Sequence, residues 1–204
     1  MSTSSPDRDL SFGYVPIALQ LRRVLNLTDE ELLVISHENP TLRFERNAKG
    51  ELVVMAPAGN ESSRRCLEVA AQLWVWAKKD GTGEAFDSSA GYRLPNTAIL
   101  APDASWVPHA RINKFTPKQR KKFLPVCPDF VVEVLSPSDS LEATKEKMRE
   151  WIEQGVRLGL LIDGDDKRVY VYAPDQPVQE VSRQERLSCE PVLPGFELVL
   201  SDIW

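Results

Sequence analysis

The sequence has few histidines, few cysteines and no long apolar run. Of its 204 residues, two are histidine and three are cysteine. Cys66, Cys127 and Cys189 are odd in number and widely spaced, so they match neither a zinc-ligand pattern nor a disulfide framework. His37 and His109 are too few and too far apart to indicate a histidine-rich metal site. We therefore expect a protein of the reducing cytoplasm.

Two further absences exclude other classes of protein. No apolar run approaches about 18 residues, which a membrane-spanning helix needs, and residues 1–13 lack the basic and then apolar layout of a secretory signal. The sequence has no GxxxxGK[ST] loop, so we expect no nucleotide cofactor. We predict a loosely ordered lead-in over residues 1–27 and a single domain over residues 28–204.

The composition is that of a globular protein with an acidic balance. Hydrophobic residues make up 42% and charged residues 27%, and the net charge is −5. This charge argues against a surface that binds nucleic acid everywhere. One stretch, the basic segment of residues 111–122, departs from it and is either a solvated helix face or a contact for a phosphate backbone. Its cations are Arg111, Lys114, Lys118, Arg120, Lys121 and Lys122.

The first half of the chain predicts a helix, a hairpin and a long helix. Thr28 and Glu31 have capping-box spacing, so a short helix should run to about Ser36. Residues 41–57 alternate around a turn and predict a β-hairpin, with Glu45 on its first strand. A second helix should run from about residue 62 to residue 79, with Trp74 and Trp76 as core and rim rather than a base-stacking platform. Its predicted apolar stripe is Leu67, Ala70, Ala71, Leu73, Trp74 and Ala77.

The second half predicts a strand meander and then a β–α–β unit. Residues 84–89, 91–95 and 99–107 are typical of successive antiparallel strands, and Thr116-Pro117 should begin a helix that carries the basic segment. Two buried strands, residues 130–136 and 157–163, flank a helix that Ser138 or Asp139 should cap, and this crossover should make them parallel. The expected fold is α/β (α+β), a mixed central sheet flanked by helices, with an extra N-terminal hairpin and C-terminal edge strands.

Two acidic strand positions indicate chemistry. Glu133 lies between two valines, and a buried carboxylate without a partner costs several kcal/mol. Pro102 interrupts the strand just before Asp103 and indicates a bulge or bend, a feature that often lies beside an active site. Together the two carboxylates would supply hard oxygen ligands for Mg²⁺ or Mn²⁺, with Glu61 as a further ligand or supporting group. The competing interpretation is that they are caps, edge positions or arginine partners.

The same residues carry a family resemblance. Pro102-Asp103, the run PDFVVEVLSPSDS at residues 128–140, EKMREWIEQGV at 146–156 and LLID at 160–163 closely resemble the Uma-two family. That bacterial family is described as candidate restriction endonucleases and belongs to the PD-(D/E)XK nuclease superfamily. The resemblance extends from about Thr28 to the C-terminal end. It implies a restriction-endonuclease-like core of a helix, three antiparallel strands, a helix and a fourth strand.

The resemblance also implies roles for single residues. Asp103 matches the aspartate of the PD motif, Glu133 the acidic residue of the next core strand, and Glu61 an acidic position on the first core helix. Asp103 and Glu133 would be metal ligands. Leu135 stands where the usual lysine would follow, two residues after the glutamate. Ordinary catalysis then requires that the lysine has moved to the next helix.

Two lysines on that helix are candidates. Lys147 matches the basic position of the family, whereas helix geometry brings Lys145 nearer to the stripe of Leu141, Met148 and Ile152 that should face the sheet. We weigh the family match above the geometry. Both lysines are also compatible with a solvated, charged helix face.

The function expected from these residues is that of a Mg²⁺- or Mn²⁺-dependent endonuclease that hydrolyses DNA phosphodiester bonds. The basic segment would contact the DNA backbone. The main alternative is a catalytically inactive module that retains the fold and binds nucleic acid or protein; a phosphodiesterase acting on RNA or a nucleotide is a third. Because two DNA strands need cutting, we expect a homodimer, with apolar edges such as FELVL at residues 196–200 as the interface.

Overall fold

The computed structural model describes residues 17–20, 27–55 and 57–204. Within these ranges the helices are α1 (Asp29–Glu38), α2 (Asn60–Asp80), α3 (His109–Ile112) and α4 (Leu141–Glu153). The strands are β1 (Ile17–Leu19), β2 (Arg43–Arg46), β3 (Leu52–Met55), β4 (Gly83–Asp87), β5 (Tyr92–Arg93), β6 (Ile99–Leu100), β7 (Ala104–Pro108), β8 (Phe130–Val134), β9 (Leu158–Asp163), β10 (Arg168–Tyr172), β11 (Gln179–Ser182), β12 (Arg186–Ser188) and β13 (Glu197–Val199).

A mixed sheet of six strands forms the centre of the molecule. Its strand order is β11-β10-β9-β8-β7-β4, in which β8 and β9 are parallel and the other pairs are antiparallel. A second, antiparallel sheet has the order β1-β3-β2-β6-β5, and β12 pairs with β13. The prediction of a mixed central sheet with a parallel β–α–β unit is confirmed. Among the described residues, no helix is long and apolar enough to cross a membrane.

The core has a layer on each face of the central sheet. Strand β8 is buried along its whole length, and its side chains alternate between the two layers. Phe130 packs in a layer with α2 and the C-terminal segment, whereas Val131 packs in a layer with Trp151 of α4. Each large apolar side chain buried in this way stabilises the fold by about 1.5–3 kcal/mol relative to exposure. Glu133 lies within this apolar sandwich.

The predicted capping box at the start of α1 is confirmed. The side chain of Thr28 accepts a hydrogen bond from the backbone N–H of Glu31, and the Glu31 carboxylate accepts one from the backbone of Thr28, which completes the capping box. Strands β2 and β3 form the predicted hairpin. Of the predicted lead-in, Ile17–Leu19 forms β1 and pairs with β3, while residues 1–16 and 21–26 lie outside the described residues.

The predicted apolar stripe of α2 is partly wrong. Leu67 and Trp74 are 69% and 54% exposed. The buried face instead contains Arg65 together with Val69, Leu73 and Ala77. The buried guanidinium of Arg65 reaches across to Asp165, in the turn after β9, and forms an ion pair with it. Helical spacing identified an apolar helix, but which side faces the sheet depends on these tertiary contacts.

Three other local predictions need correction. The predicted strand 99–107 is two strands in different sheets, because the chain leaves β6 at Ala101 and enters β7 after Asp103. The predicted helix of the basic segment is only a 3-10 turn at Gln119–Lys121, since the prolines that follow leave little chain for a longer one. Helix α4 is capped by Ser140, because Asp139 instead accepts hydrogen bonds from Ser136.

The C-terminal segment is also different from the prediction. Phe196, Leu198 and Leu200 are buried in the same core layer as α2. They are therefore not the exposed apolar edge that we expected at residues 196–200, and this run does not supply a dimer interface.

Candidate active site

Asp103 and Glu133 meet where the two sheets join. In the antiparallel pair of β7 and β8, Ala104 lies opposite Val132. Continuing this register by one residue sets Asp103 opposite Glu133. Asp103 Oδ2 accepts a hydrogen bond of 2.8 Å from the backbone N–H of Val134, the residue after Glu133. Like charges placed opposite each other repel, so the arrangement requires nearby cations.

Glu133 is buried, with 6% of its surface exposed. Its Oε1 atom accepts a hydrogen bond of 2.9 Å from the indole Nε1 of Trp151 and lies 3.0 Å from Nζ of Lys147. Burial raises the pKa of Glu133 to about 7; the Lys147 ammonium opposes this rise, whereas Asp103 and Glu45 add to it. The indole and the ammonium offset part of the cost of burying this carboxylate.

Lys147 of α4 brings its ammonium into contact with Glu133, the residue that precedes Leu135 by two positions. Leu135 itself packs against the apolar layer beneath α4. From the helix, Lys147 Nζ lies 3.0 Å from Glu133 Oε1 and 3.0 Å from Glu45 Oε1. Burial acts to lower the pKa of Lys147, but the two carboxylates outweigh it and raise this pKa. Lys147 is therefore charged, and its ammonium lies between Glu133 of the central sheet and Glu45 of the smaller sheet.

Lys145 points to a different part of the molecule. Its Nζ lies over the ring of Tyr170 on β10, 4.7 Å from the ring centre, and 3.1 Å from Glu142 on its own helix. The structure thus separates the two candidate lysines, and only Lys147 contacts the acidic residues Glu133 and Glu45.

Glu45 is a member of the cluster that the sequence did not identify as a site residue. It lies on β2 and is 4% exposed. Its Oε1 atom contacts Lys147 and accepts a hydrogen bond of 2.9 Å from the backbone N–H of Ala101. The only local signal was a carboxylate on a short hairpin strand, which is equally typical of a solvent-facing position.

Arg43 and Cys66 complete the surroundings of Asp103. The Arg43 guanidinium lies 3.5 Å from Asp103 Oδ1 and donates a hydrogen bond of 2.7 Å to the backbone oxygen of Ser88. Burial raises the pKa of the Cys66 thiol, and the charge of Asp103 contributes to that rise. The cluster thus has three carboxylates, Asp103, Glu133 and Glu45, against the cations Lys147 and Arg43.

Glu61 lies at the start of α2 and is directed toward arginines. Its side chain is 59% exposed, and its Oε1 atom lies 2.7 Å from Arg64 Nη2 and 3.4 Å from Arg65 Nε. Within the described part of the chain, no hydrogen bond or ion pair joins Glu61 to Asp103 or Glu133. Its position matches the first core helix, but its contacts are local.

The donor set suits a hydrated cation better than a closed metal cage. Among the described residues, no group of three or more His, Cys, Asp and Glu side chains is arranged to hold a metal ion. Mg²⁺ commonly needs only one or two carboxylates, because it keeps several water ligands. Asp103 and Glu133 lie opposite each other in the register of β7 and β8 and would supply two hard oxygen donors, and the cluster carries more carboxylates than cations. In their chemistry these donors match the preference of Mg²⁺ or Mn²⁺.

The basic segment is only partly available to a ligand. Arg111 lies 3.2 Å from Asp129, and Lys122 lies 2.8 Å from Glu30. Arg120 forms an ion pair with Glu84. Among the described residues of this segment, three exposed lysines have a side chain that makes neither a hydrogen bond nor an ion pair: Lys114, Lys118 and Lys121.

Comparison with known proteins identifies the class and then the family. The fold is shared with the crystal structure of "a putative nuclease belonging to DUF820" from Anabaena variabilis ATCC 29413. That match has a TM-score of 0.71 and 21% sequence identity, and it covers 87% of this chain and 97% of the other. The family model Uma2, described as "Putative restriction endonuclease", matches residues 29–201, so the chain belongs to the Uma2 family. No protein with a curated description matches the sequence.

Proposed function

We propose that this protein is a Mg²⁺- or Mn²⁺-dependent endonuclease that hydrolyses DNA phosphodiester bonds. The observation that carries the proposal is the cluster of Asp103, Glu133 and Lys147 at the junction of the two sheets. Two facing carboxylates, one of them buried in contact with an ammonium, are costly to assemble for stability alone. The description of the family is in agreement with this chemistry.

Asp103 and Glu133 would hold the cation. When bound, it would lower the pKa of a water molecule and stabilise negative charge on the phosphate. Lys147 Nζ, next to Glu133 Oε1, would donate a hydrogen bond to the attacking water or to a phosphate oxygen and so orient it. The contacts of Lys145 argue against that role for it.

Glu61 is less well placed than Asp103 and Glu133 to act as a metal ligand. Its contacts with Arg64 and Arg65 support a role in fixing the start of α2, near Cys66 and Asp103. The variant Glu61→Gln would decide between the two roles: loss of Mn²⁺ affinity in calorimetry would support a ligand, and unchanged affinity would leave only the contacts with the arginines.

DNA would be contacted through the exposed lysines of the basic segment. Lys114, Lys118 and Lys121 carry charge that no carboxylate of the described chain neutralises, which suits them to phosphate contacts. The three cysteines are free thiols, in agreement with the cytoplasmic location that we propose.

The test of the proposed function is cleavage of supercoiled, linear and single-stranded DNA, and of RNA, with Mg²⁺ or Mn²⁺. The variant Glu133→Gln keeps the shape of the side chain and removes its charge, and we expect it to lose at least about 100-fold in rate. Glu142→Gln, an exposed carboxylate on α4 that pairs with Lys145, is the matched control and should cleave like the wild type. Equal cleavage by wild type and Glu133→Gln would refute the assigned site.

The second candidate function is a binding module without catalysis. Leu135 at the usual lysine position favours it, and so does Lys147, whose ammonium neutralises the carboxylates as a metal ion would. Folded wild-type protein that binds DNA in Mn²⁺ but cleaves none of the substrates would establish this alternative. Preference for RNA over DNA would instead establish the RNA phosphodiesterase.

We also propose that the protein is a homodimer, with the exposed face of α2 as its interface. This face presents Leu67, Trp74 and Val75 to solvent. It has Glu68 near one end and Lys78 near the other, so two antiparallel copies would place opposite charges together. Sedimentation should show a dimer for the wild type and a monomer for Trp74→Glu. A monomeric wild type at micromolar concentration would contradict the proposal.

A further inference from the structure

Glu45 joins three parts of the site through one oxygen atom. Its Oε1 contacts Nζ of Lys147 on α4 and accepts a hydrogen bond from the backbone N–H of Ala101, two residues before Asp103. The carboxylate itself belongs to β2 of the smaller sheet. Glu45 therefore links the helix that carries the lysine to the segment that carries the aspartate.

The Lys147 ammonium contacts two carboxylates at once. It lies at the same distance, 3.0 Å, from Glu45 Oε1 and from Glu133 Oε1. Glu133 has a second donor, the Trp151 indole, on the same oxygen atom. A cation bound at Asp103 and Glu133 would compete with Lys147 for Glu133, whereas Glu45 would still hold the ammonium.

We infer that Glu45 is a positioning residue that holds the Lys147 ammonium beside Asp103 and Glu133 independently of Glu133. Glu133 is then free to bind the cation that the proposed function requires, and the inference rests on that function only in this respect. Without Glu45, a cation at Glu133 would leave Lys147 with no carboxylate partner at the site. The ammonium would then lose its fixed place next to the reacting atoms.

The variant Glu45→Gln tests this inference sharply. The amide oxygen can still accept the hydrogen bond from Ala101, so the backbone before Asp103 keeps its support, but the negative charge that holds Lys147 is lost. Glu51→Gln is the matched control, because Glu51 lies in the same hairpin and its carboxylate accepts a hydrogen bond from the side chain of Asn47 rather than from Lys147.

The first readout does not depend on nuclease activity. Reductive methylation of Lys147, followed by peptide mass spectrometry, should be about tenfold faster in Glu45→Gln than in the wild type, since an ammonium held by fewer carboxylates is released more readily. Adding Mn²⁺ should increase the rate further in Glu45→Gln and leave it nearly unchanged in the wild type and in Glu51→Gln. Equal methylation of Lys147 in wild type and Glu45→Gln would overturn the inference.

The second readout is a double-mutant cycle in cleavage. We expect Glu45→Gln to lower kcat by about 10- to 100-fold, which is typical of residues that orient the groups of a site without touching the reacting atoms. KM for DNA should stay within about threefold. In a Lys147→Gln background the same change should have no further effect on kcat. Effects that multiply would show that Glu45 acts through general structure, against the inference. If the wild type cleaves nothing, the proposed function fails, and the methylation result alone decides the role of Glu45.

Discussion

The cluster at the sheet junction and the basic segment use the same kinds of charged residue in opposite ways. In the cluster, Glu133 and Glu45 are almost fully buried, and one ammonium serves both. In the basic segment, Lys122 and its partner Glu30 are 50% and 66% exposed, and water screens their attraction. Buried ion pairs are costly to break, whereas exposed pairs contribute about 0–1 kcal/mol. The number of charges in a stretch of sequence therefore says little about where charge matters.

The largest expected effect is the loss of the shared ammonium. Lys147→Ala leaves two buried carboxylates without their common partner and should destabilise the fold by about 3–5 kcal/mol. Lys122→Ala, the surface counterpart, should cost less than about 1 kcal/mol. Urea denaturation of both variants at pH 7 measures the difference. Similar destabilisation of the two variants would show that the buried ion pairs of the cluster contribute no more to stability than the exposed pair of the basic segment.

A smaller effect is expected when the indole donor to Glu133 is removed. Trp151→Phe retains an aromatic ring in the core but loses the hydrogen bond of 2.9 Å to Glu133 Oε1. A hydrogen bond to a charged group contributes about 1.5–3 kcal/mol, with part of the measured destabilisation coming from the smaller ring. The control is Trp76→Phe, whose indole donates to a backbone oxygen at the surface and should cost less. Thermal unfolding of the two variants, compared with wild type, measures the contribution; a greater destabilisation in Trp76→Phe would contradict it.

The smallest effect on stability is expected in the basic segment. Replacing Lys114, Lys118 and Lys121 together by alanine should change the free energy of unfolding by less than about 0.5 kcal/mol, because these side chains are exposed. The same variant should weaken DNA binding and reduce the slope of log K against log salt by up to about 0.9 for each phosphate that the protein no longer neutralises. Fluorescence anisotropy at several salt concentrations measures this. An unchanged slope would place the DNA-binding surface elsewhere.

The sequence predicted the fold well because its signals are local. Alternating and continuous apolar runs located β8, β9 and the hairpin, and the capping box located the start of α1. The side of α2 that faces the core could not be predicted from its apolar residues, because the buried face includes Arg65, which pairs with Asp165, 100 residues away in the chain. Exposure of Leu67 and Trp74 follows from that same choice of face.

The site could be predicted only in part, for a similar reason. Glu133 was marked by its apolar neighbours, and Pro102 marked the irregularity before Asp103. The break turned out to be a change of sheet, which no local pattern encodes. Glu45 contacts Lys147 over a separation of 102 residues, and its neighbours on β2 are mixed in character, so its burial had no signal in the sequence. The roles proposed for these residues in catalysis and metal binding remain predictions.

The passage of the chain from one sheet to the other at Ala101–Asp103 has a consequence for assembly. Neither sheet alone contains the whole cluster: Glu45 comes from the smaller sheet, and Glu133 comes from the central one. Until the two sheets dock, each carboxylate lies in its own half, and Lys147 has at most one of them to bind. The ammonium of Lys147 can contact Glu45 and Glu133 together only after the two sheets dock, so this double contact marks the moment at which the protein has formed its site.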